Sequence, residues 1–431
     1  MRDFLPEDVR RREYVIGVIK RVYERYGFEP LETPAVENLE TLLGKYGDEG
    51  NQLIFKILKR GEHEASGQAD LALRYDLTVP LARVIAHHQS KLPKLFKRYQ
   101  IQPVWRADRP ARGRFREFYQ CDVDSLGSTS PVIEAEVCAA VSDALAELGF
   151  IDFIIRVNHR QLLTSILDWC GVAEPLHGTA LVAVDKLDKV GRDGVRADMA
   201  SRGIRSETAT KVLDEFDRLR SGGLGVQIPF DQAGQAGFAN LADIARLAQE
   251  TGAKNRIEFD PSLARGLSYY TGAIMEINVP DLAGSLGGGG RYDNLVGMFL
   301  GQQVPACGFS LGLERILVVM GERGMFPSSL ATTPADLMVA VFEAKDAPHA
   351  LRVAATLRAS GLRVMVYPDA DKIGKQIKYA DAQRIPYVAI LGGDEIAKGT
   401  VTVKDLAAQT QSTYDQAAAG AAILEGLKHR G

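Results

Sequence analysis

The sequence of 431 residues has few cysteines, no long apolar run and almost no excess charge, and each shortage excludes a class of protein. Its four cysteines form no C-x-x-C pair, so we expect reduced thiols rather than disulfides or a zinc site. No apolar run approaches the ~20 residues that cross a membrane, and the amino terminus is too charged for a secretory signal. We therefore expect a soluble, cytoplasmic protein of two or three domains.

The net charge also limits the choice of partners. A formal net charge of −3 argues against a general nucleic-acid coat protein, so any contact with RNA must come from a local basic patch. Such a patch occurs between Lys97 and Arg116, where there are seven basic residues and a single acid, Asp108. This excess of positive charge indicates a site for an anion.

The basic patch belongs to a stretch, residues 97–124, whose two halves alternate polar and apolar residues at the period of a β-strand. Pro110 and Gly113 lie in the connection and are typical turn residues. The pattern predicts an antiparallel hairpin with one apolar face. A hairpin whose polar face simply meets water is the ordinary alternative.

The order of residues along the polar face favours a ligand with two different ends. Basic residues lie nearest the loop, whereas Gln120 and Asp124 lie further along the second strand. At ~3.4 Å per residue, Arg116 and Gln120 are ~13 Å apart. A molecule with a phosphate at one end and an amine at the other would fit this order.

These residues carry a resemblance to a known family. The letters WRAD leading into GRFREF resemble motif 2 of class II aminoacyl-tRNA synthetases, and REFYQCDVD resembles the form of motif 2 in histidyl-tRNA synthetases. LARGLSYYTG resembles the histidine-specific signature of that family, with Ser268 where aspartate is usual, and GFSLGLERIL resembles motif 3. The four glycines before motif 3 permit close approach of the backbone to a ligand, although such a run by itself is more often a flexible loop.

The segment YGFEPLETPAVE, predicted as the end of a helix followed by a strand, resembles motif 1 of the same family. In class II synthetases this motif lies at the dimer interface, so the resemblance implies a homodimer. A helix and an edge strand with Pro30 and Pro34 would explain the same residues.

The resemblance implies an α/β fold class, with an α+β catalytic domain built on an antiparallel sheet flanked by helices. We expect this domain over residues 1–325, interrupted by a mostly helical insertion at 160–252, and an α/β anticodon-binding domain over 334–431. By their own patterns, the insertion could be a solvated helical surface, and the last segment any small α/β module.

The resemblance assigns the ATP site to basic residues. Amino-acid activation brings two anions together, and positioned cations must stabilise their charge. By the resemblance, Arg106 and Arg265 contact the α-phosphate and are catalytic, Arg315 holds the ATP tail, and Asp108 lies near the adenine. Magnesium ions, Mg2+, would bridge the remaining phosphates, with no protein side chain assigned as a ligand.

The other end of the substrate site must select histidine. By the resemblance, the side chains of Asp76, Thr78 and Gln120 would hold the α-amino group. A carboxylate at Asp124 and a phenol at Tyr270 could satisfy the donor and acceptor of a neutral imidazole. Thr78 could instead cap the helix that begins nearby. The full set assigned to the histidine site is Asp76, Leu77, Thr78, Gln120, Asp124, Tyr269 and Tyr270.

The function implied is ligation of L-histidine to its tRNA, through a histidyl-adenylate made with ATP and transfer to the 3′ end of the tRNA. Arg109 and Arg112, in the hairpin loop, are expected at the acceptor end of the tRNA. Two alternatives remain open: a synthetase-like regulatory subunit of histidine biosynthesis that does not charge tRNA, and a non-catalytic RNA-binding module.

Overall fold

The structure is a computed structural model that describes residues 1–61, 66–264, 269–327, 330 and 333–429. The chain divides into two compact units, Met1–Met325 and Phe326–Gly431. Among the described helices, none combines the length and the apolar character of a membrane span.

The first unit is built on strands that belong to two sheets. The described strands are β1 (Glu29–Pro30), β2 (Val36–Asn38), β3 (Lys56–Leu58), β4 (Ala69–Leu73), β5 (Phe96–Trp105), β6 (Glu117–Leu126), β7 (Ile154–His159), β8 (Ile257–Phe259), β9 (Ala273–Asn278), β10 (Ser285–Arg291) and β11 (Ala306–Gly312). The helices around them are α1 (Pro6–Arg25), α2 (Leu39–Leu42), α3 (Gly47–Gln52), α4 (Thr78–His88), α5 (Val132–Glu147), α6 (Arg160–Cys170), α7 (His177–Val184), α8 (Leu187–Ser201), α9 (Ser206–Gly222), α10 (Gln232–Ala248), α11 (Gly297–Leu300) and α12 (Leu313–Glu322).

Eight of these strands form one sheet in the order β1-β5-β6-β11-β10-β9-β7-β8. Neighbouring strands are antiparallel except at the two edges, where β1 pairs with β5 and β7 pairs with β8 in parallel. The predicted hairpin is β5 and β6, paired from Phe96 opposite Leu126 to Trp105 opposite Glu117. The predicted antiparallel sheet flanked by helices is therefore confirmed.

Helices α1 and α5 pack against each other and cover one face of this sheet. Four aliphatic side chains of α1 recur at helical spacing and are buried: Val15, Val18, Ile19 and Val22. The chain leaves α1 through Gly27, whose φ of 74° is a conformation that glycine adopts without strain.

The strand predicted around motif 1 is instead two short strands in different sheets. β1 pairs with β5 in the large sheet, whereas β2 pairs with β4 in a three-stranded sheet of order β2-β4-β3. Pro30 and Pro34 explain the break, because a proline has no N–H with which to continue a ladder.

Five helices, α6 to α10, connect β7 to β8. α6 and α10 pack against each other, and α10 also packs against α5. Helix α8 is interrupted at Gly191, where φ is 68° and ψ is 178°. The first turn of α8 therefore points in a different direction from the rest of the helix.

The second unit contains a five-stranded sheet of order β13-β12-β14-β15-β16. Side chains of alternate residues of β12 pack into two separate cores, because successive side chains of a strand point to opposite faces. This small α/β unit was also expected. Its described elements are β12 (Leu337–Val339), α13 (Ala347–Ala359), β13 (Val364–Val366), α14 (Ile373–Ala382), β14 (Tyr387–Ile390), α15 (Gly393–Lys398), β15 (Thr400–Asp405), β16 (Thr410–Asp415) and α16 (Ala419–Lys428).

Candidate active site

A cavity of about 560 Å³ lies against the polar face of the β5–β6 hairpin and reaches β10, β11 and α12. It brings together residues that are far apart in the sequence. Those predicted for the site that line it are Asp76, Thr78, Arg106, Asp108, Gln120, Tyr269, Tyr270 and Arg315. The other predicted residues do not line it: Leu77, Asp124, Arg109 and Arg112 lie outside the lining, and Arg265 lies outside the described residues.

Asp76 lies at the turn before α4, and its side chain accepts three hydrogen bonds. Its Oδ1 accepts from the N–H of Val79 at 3.1 Å and from the hydroxyl of Tyr46 at 2.9 Å, and its Oδ2 accepts from the hydroxyl of Tyr269 at 3.1 Å. Asp76 therefore caps α4, a role that the sequence suggested for Thr78. Burial raises the pKa of Asp76, and these hydrogen bonds oppose that effect.

The polar face of the hairpin is buried, so the alternative in which it meets water is wrong. The side chains of Arg98, Asp122 and Asp124 are at most 2% exposed. Nη2 of Arg98 lies 2.9 Å from Oδ2 of Asp124 and 3.8 Å from Oδ2 of Asp122. The guanidinium of Arg98 thus forms ion pairs with both buried carboxylates.

The surroundings of Asp122 and Asp124 shift the pKa of both carboxyl groups. Burial raises the pKa of Asp122 to about 7; Arg98 lowers it and Asp124 raises it further. Burial also raises the pKa of Asp124, although Arg98 and a hydrogen bond from the hydroxyl of Tyr292 favour its ionised form. No role was predicted for Asp122 from the sequence.

The glycine run before motif 3 is strand β10, paired on both sides with β9 and β11, rather than a flexible loop. Gly287, Gly288 and Gly289 line the cavity. A Cβ on Gly289 would collide with the backbone of Gly308 in β11, so a larger residue would push the two strands apart. Glycine at this position therefore allows β10 and β11 to pair closely beside the cavity.

The guanidinium groups of Arg106 and Arg315 also line the cavity. Nε of Arg106 donates to the carbonyl of Tyr75 at 3.0 Å, and its guanidinium lies 4.3 Å from the ring centre of Tyr75 and 5.2 Å from that of Phe118. Arg315 donates to the carbonyl oxygen of Ser285. These contacts hold both side chains in place beside the cavity, where an anionic ligand would meet preoriented donors.

Two loop cations are already paired within the protein. Arg114 donates two hydrogen bonds to Asp108, at 3.1 and 2.8 Å. Arg112 donates to Glu322 and, at 3.1 Å, to the carbonyl of Asp281. The excess of basic residues in the loop sequence therefore does not mean that all of them are available to a ligand.

Glu314, beside Arg315 in the sequence, is a cavity-lining residue to which sequence analysis gave no role. It is 2% exposed, and its Oε2 accepts from the N–H of Tyr119 at 3.0 Å. Its Oε1 is buried and has no hydrogen-bond partner among the residues that the structure describes. Burial raises the pKa of Glu314 to about 7.

The raised pKa of Glu314 predicts a pH dependence of stability. An acid that binds its proton more tightly when folded loses stability as pH rises from its unfolded pKa, about 4.5, to its folded pKa, about 7. We expect the free energy of unfolding to fall across this window, and to fall less steeply in Glu314→Gln. Denaturant titrations from pH 4.5 to pH 8 measure the free energy of unfolding of the wild type and of Glu314→Gln. Glu258→Gln, which changes an exposed acid, is the control; parallel profiles for Glu314→Gln and wild type would contradict the prediction.

A family model described as "Histidyl-tRNA synthetase" matches residues 1–316. The chain belongs to the histidyl-tRNA synthetase family. A second model, described as "Anticodon binding domain", matches residues 336–425. The family predicted from the motifs is therefore confirmed.

Individual members of the histidyl-tRNA synthetase family resemble the chain over nearly its whole length. The "Histidine--tRNA ligase" of Cytophaga hutchinsonii is 41% identical, and the alignment covers 96% of each protein. The crystal structure of histidyl-tRNA synthetase from Nostoc sp. PCC 7120 is 32% identical, with a TM-score of 0.78 over 98% of this chain and 97% of that one. A Bacillus halodurans C structure, described as an ATP phosphoribosyltransferase regulatory subunit/histidyl-tRNA synthetase, shares the fold at 22% identity and a TM-score of 0.71, over 88% of this chain and 94% of that one.

Two residues from the connection between β7 and β8 also line the cavity of this family member, Asp185 and Lys189. Sequence analysis missed both. They lie in a charged helical stretch whose pattern resembles any solvated helix, so no local signal distinguished them. Only the folded chain brings them to the hairpin.

Proposed function

We propose that this chain is a histidine–tRNA ligase, which activates L-histidine with ATP and transfers it to the 3′ end of its tRNA. One observation carries the proposal: a single cavity joins the buried carboxylate of Asp76 to the guanidinium groups of Arg106 and Arg315. Near full-length similarity to a "Histidine--tRNA ligase" supports the choice of substrates. ATP and tRNA as substrates in turn favour a cytoplasmic location.

In the first step, an oxygen of the histidine carboxylate attacks the α-phosphorus of ATP, and the bond to the pyrophosphate breaks. Negative charge develops on the phosphate oxygens, and Arg106 is placed at the cavity to stabilise it. Arg265 is proposed to act with Arg106, and Arg315 to hold the phosphate tail. Arginine suits both tasks because it stays charged and offers a planar fork of donors.

A magnesium ion in this site would be held mainly by the phosphates of ATP. The described residues contain no group of three acidic, histidine or cysteine side chains that could hold a metal. The buried Oε1 of Glu314, which accepts no hydrogen bond from the described part of the chain, fits one oxygen ligand of such an ion. When bound, the ion would neutralise part of the phosphate charge.

Histidine is proposed to bind at the Asp76 end of the cavity, with its α-amino group near Asp76, Thr78 and Gln120. Tyr270 lines the cavity, and burial, followed by the negative charges of Asp122 and Asp124, raises the pKa of its phenol. A phenol and a carboxylate can satisfy both nitrogens of a neutral imidazole. Leu77 and Tyr269 complete the proposed histidine site.

If Asp124 contacts the imidazole, Asp124→Asn should raise the KM for histidine about tenfold, the order expected for loss of a charge-assisted hydrogen bond. The KM for ATP should stay unchanged. Asp122→Asn is the matched control, because Asp122 shares the strand and the Arg98 partner but has no proposed contact with histidine. Equal increases in the KM for histidine in both variants would show that the effect comes from the total charge around Arg98, not from a contact of Asp124 with histidine.

Histidine-dependent exchange of pyrophosphate into ATP, followed by charging of tRNA, tests the proposed function. We expect the purified protein to perform both reactions. A regulatory subunit would perform neither, and a non-catalytic RNA-binding module would bind RNA without exchange. The absence of histidine-dependent exchange would refute the proposal.

We also propose that residues 1–325 are the catalytic domain, with residues 160–252 as its insertion, and that residues 334–431 bind the anticodon. Arg109 and Arg112 are proposed to approach the acceptor end of the tRNA. Ending the chain at Met325 should then preserve exchange and reduce tRNA charging at least about tenfold, because anticodon contacts are lost. Steady-state charging kinetics measure the effect, and unchanged charging by the truncated protein would contradict it.

The chain is proposed to act as a homodimer without membrane association, with the segment of motif 1 at the interface. β1 lies at the edge of the large sheet and pairs on one side with β5, so this edge is available for contact with another chain. Sedimentation of the full-length protein tests this proposal, and a monomer at micromolar concentration would refute it.

A further inference from the structure

A second cavity, of about 370 Å³, lies beside the active-site cavity. Its wall combines the tip of the hairpin loop, at Ala111 and Arg112, with the start of α8. The two cavities share residues of both signs of charge. The shared residues are Arg114, Asp185, Lys189, Leu263, Glu276 and Arg315.

The cations of the second cavity differ in how they are paired. Arg114 is paired with Asp108, and Arg156 with Asp188 and Asp260. The side chain of Lys189, by contrast, has no hydrogen-bond or ion-pair partner among the residues that the structure describes, and it is exposed. Its ammonium group is therefore available to a ligand.

The position of Lys189 is maintained by its neighbours in the sequence. Asp188 pairs with Arg156 of β7 at 2.9 Å, and Lys186 pairs with Asp198 at 2.8 Å. Gly191 then interrupts α8, so the turn that contains Lys189 is separated from the longer part of the helix. The insertion thus presents Lys189, a cation that has no partner within the described ranges of the chain, at the wall that both cavities share.

We propose that Lys189 binds the pyrophosphate group that leaves ATP during histidine activation. The inference rests on the proposed function. Lys189 and Arg315 line both cavities, and Arg315 is the residue proposed to hold the phosphate tail. When the bond between the α-phosphorus and its bridging oxygen breaks, the electron pair leaves with the pyrophosphate. A lysine ammonium is a suitable point charge for that anion. The helical insertion would then contribute directly to the active site.

The test measures pyrophosphate exchange at varied pyrophosphate concentration in Lys189→Ala, Lys189→Arg and Lys211→Ala. Lys211 is an exposed lysine of the same insertion that lines neither cavity, so its variant removes the same charge elsewhere. We expect the KM for pyrophosphate to rise about tenfold in Lys189→Ala, to recover substantially in Lys189→Arg and to stay unchanged in Lys211→Ala. The KM for histidine should stay at the wild-type value in all three, which also shows that the active site has folded.

A lysine could also bind a phosphodiester group close to the 3′ end of tRNA, and a second experiment distinguishes that ligand from pyrophosphate. Single-turnover transfer of histidine from preformed adenylate to tRNA should proceed at the wild-type rate in Lys189→Ala. Slower transfer with an unchanged KM for pyrophosphate would overturn the assignment to pyrophosphate. An unchanged KM in a protein that performs histidine-dependent exchange would refute this inference alone, whereas wild-type protein without that exchange would refute the proposed function.

Discussion

Replacing Arg106 with alanine is expected to reduce the rate of histidyl-adenylate formation about 100- to 1,000-fold, the usual cost of removing one preoriented donor from a developing negative charge. The structure favours a large effect, because the guanidinium is held between the carbonyl of Tyr75 and the rings of Tyr75 and Phe118. The guanidinium of Arg106 therefore needs no reorientation when the histidine carboxylate approaches the α-phosphate of ATP. Single-turnover formation of adenylate measures the rate.

Arg116→Ala is the matched control for Arg106→Ala. Arg116 belongs to the same hairpin and is exposed, lines neither cavity and donates to the carbonyl of Asp108 at 3.2 Å. Its replacement should change the rate less than about threefold, since exposed charges contribute little. If both variants lose activity equally, overall positive charge of the hairpin, rather than the position of Arg106, would explain the loss.

Replacing Arg98 with methionine is expected to lower the free energy of unfolding by about 3–5 kcal/mol near pH 8, the range measured when one partner of a buried ion pair is removed. Arg98 is 0% exposed and serves both Asp122 and Asp124. Without it, two buried carboxylates face each other uncompensated. Arg98 lowers the pKa of both Asp122 and Asp124, so its loss should raise both pKa values further. At pH 5 the two acids should then be neutral, and the loss of unfolding free energy should be smaller than at pH 8.

Lys97→Met provides the comparison on the same strand. Lys97 pairs with Glu136 at 2.8 Å, but the side chains are 19% and 35% exposed. Its removal should cost at most about 1 kcal/mol and show little dependence on pH, because water can solvate the remaining acid. Denaturant unfolding of both variants at pH 5 and pH 8 tests the difference. A loss for Arg98→Met no larger than that for Lys97→Met would contradict the buried-cluster interpretation.

Local patterns in the sequence were sufficient for the hairpin, the fold class and the family. Alternation at period two along β5 and β6 depends on neighbouring residues only, and so do the motif letters around Gln120 and Arg315. The hairpin and the motifs are determined within a few residues, and the fold preserves them. The order of residues along the second strand also predicted a carboxylate, Asp124, at one end of the ligand site, but Asp124 does not line the cavity, whereas Asp76, from another segment, does.

Only the tertiary structure decided which polar groups meet. The carboxylate of Asp76 accepts from the N–H of Val79 in the first turn of α4, and the hydroxyls of Tyr46 and Tyr269 reach the same carboxylate from distant parts of the chain. The buried polar face of the hairpin contacts distant segments: Arg98 donates to the carbonyl of Leu77, and the hydroxyl of Tyr292 donates to Asp124. Lys189 reaches the active-site cavity through a connection between two other strands. Burial, charge pairing and pKa depend on such long-range neighbours, and a linear pattern of residue types does not contain them.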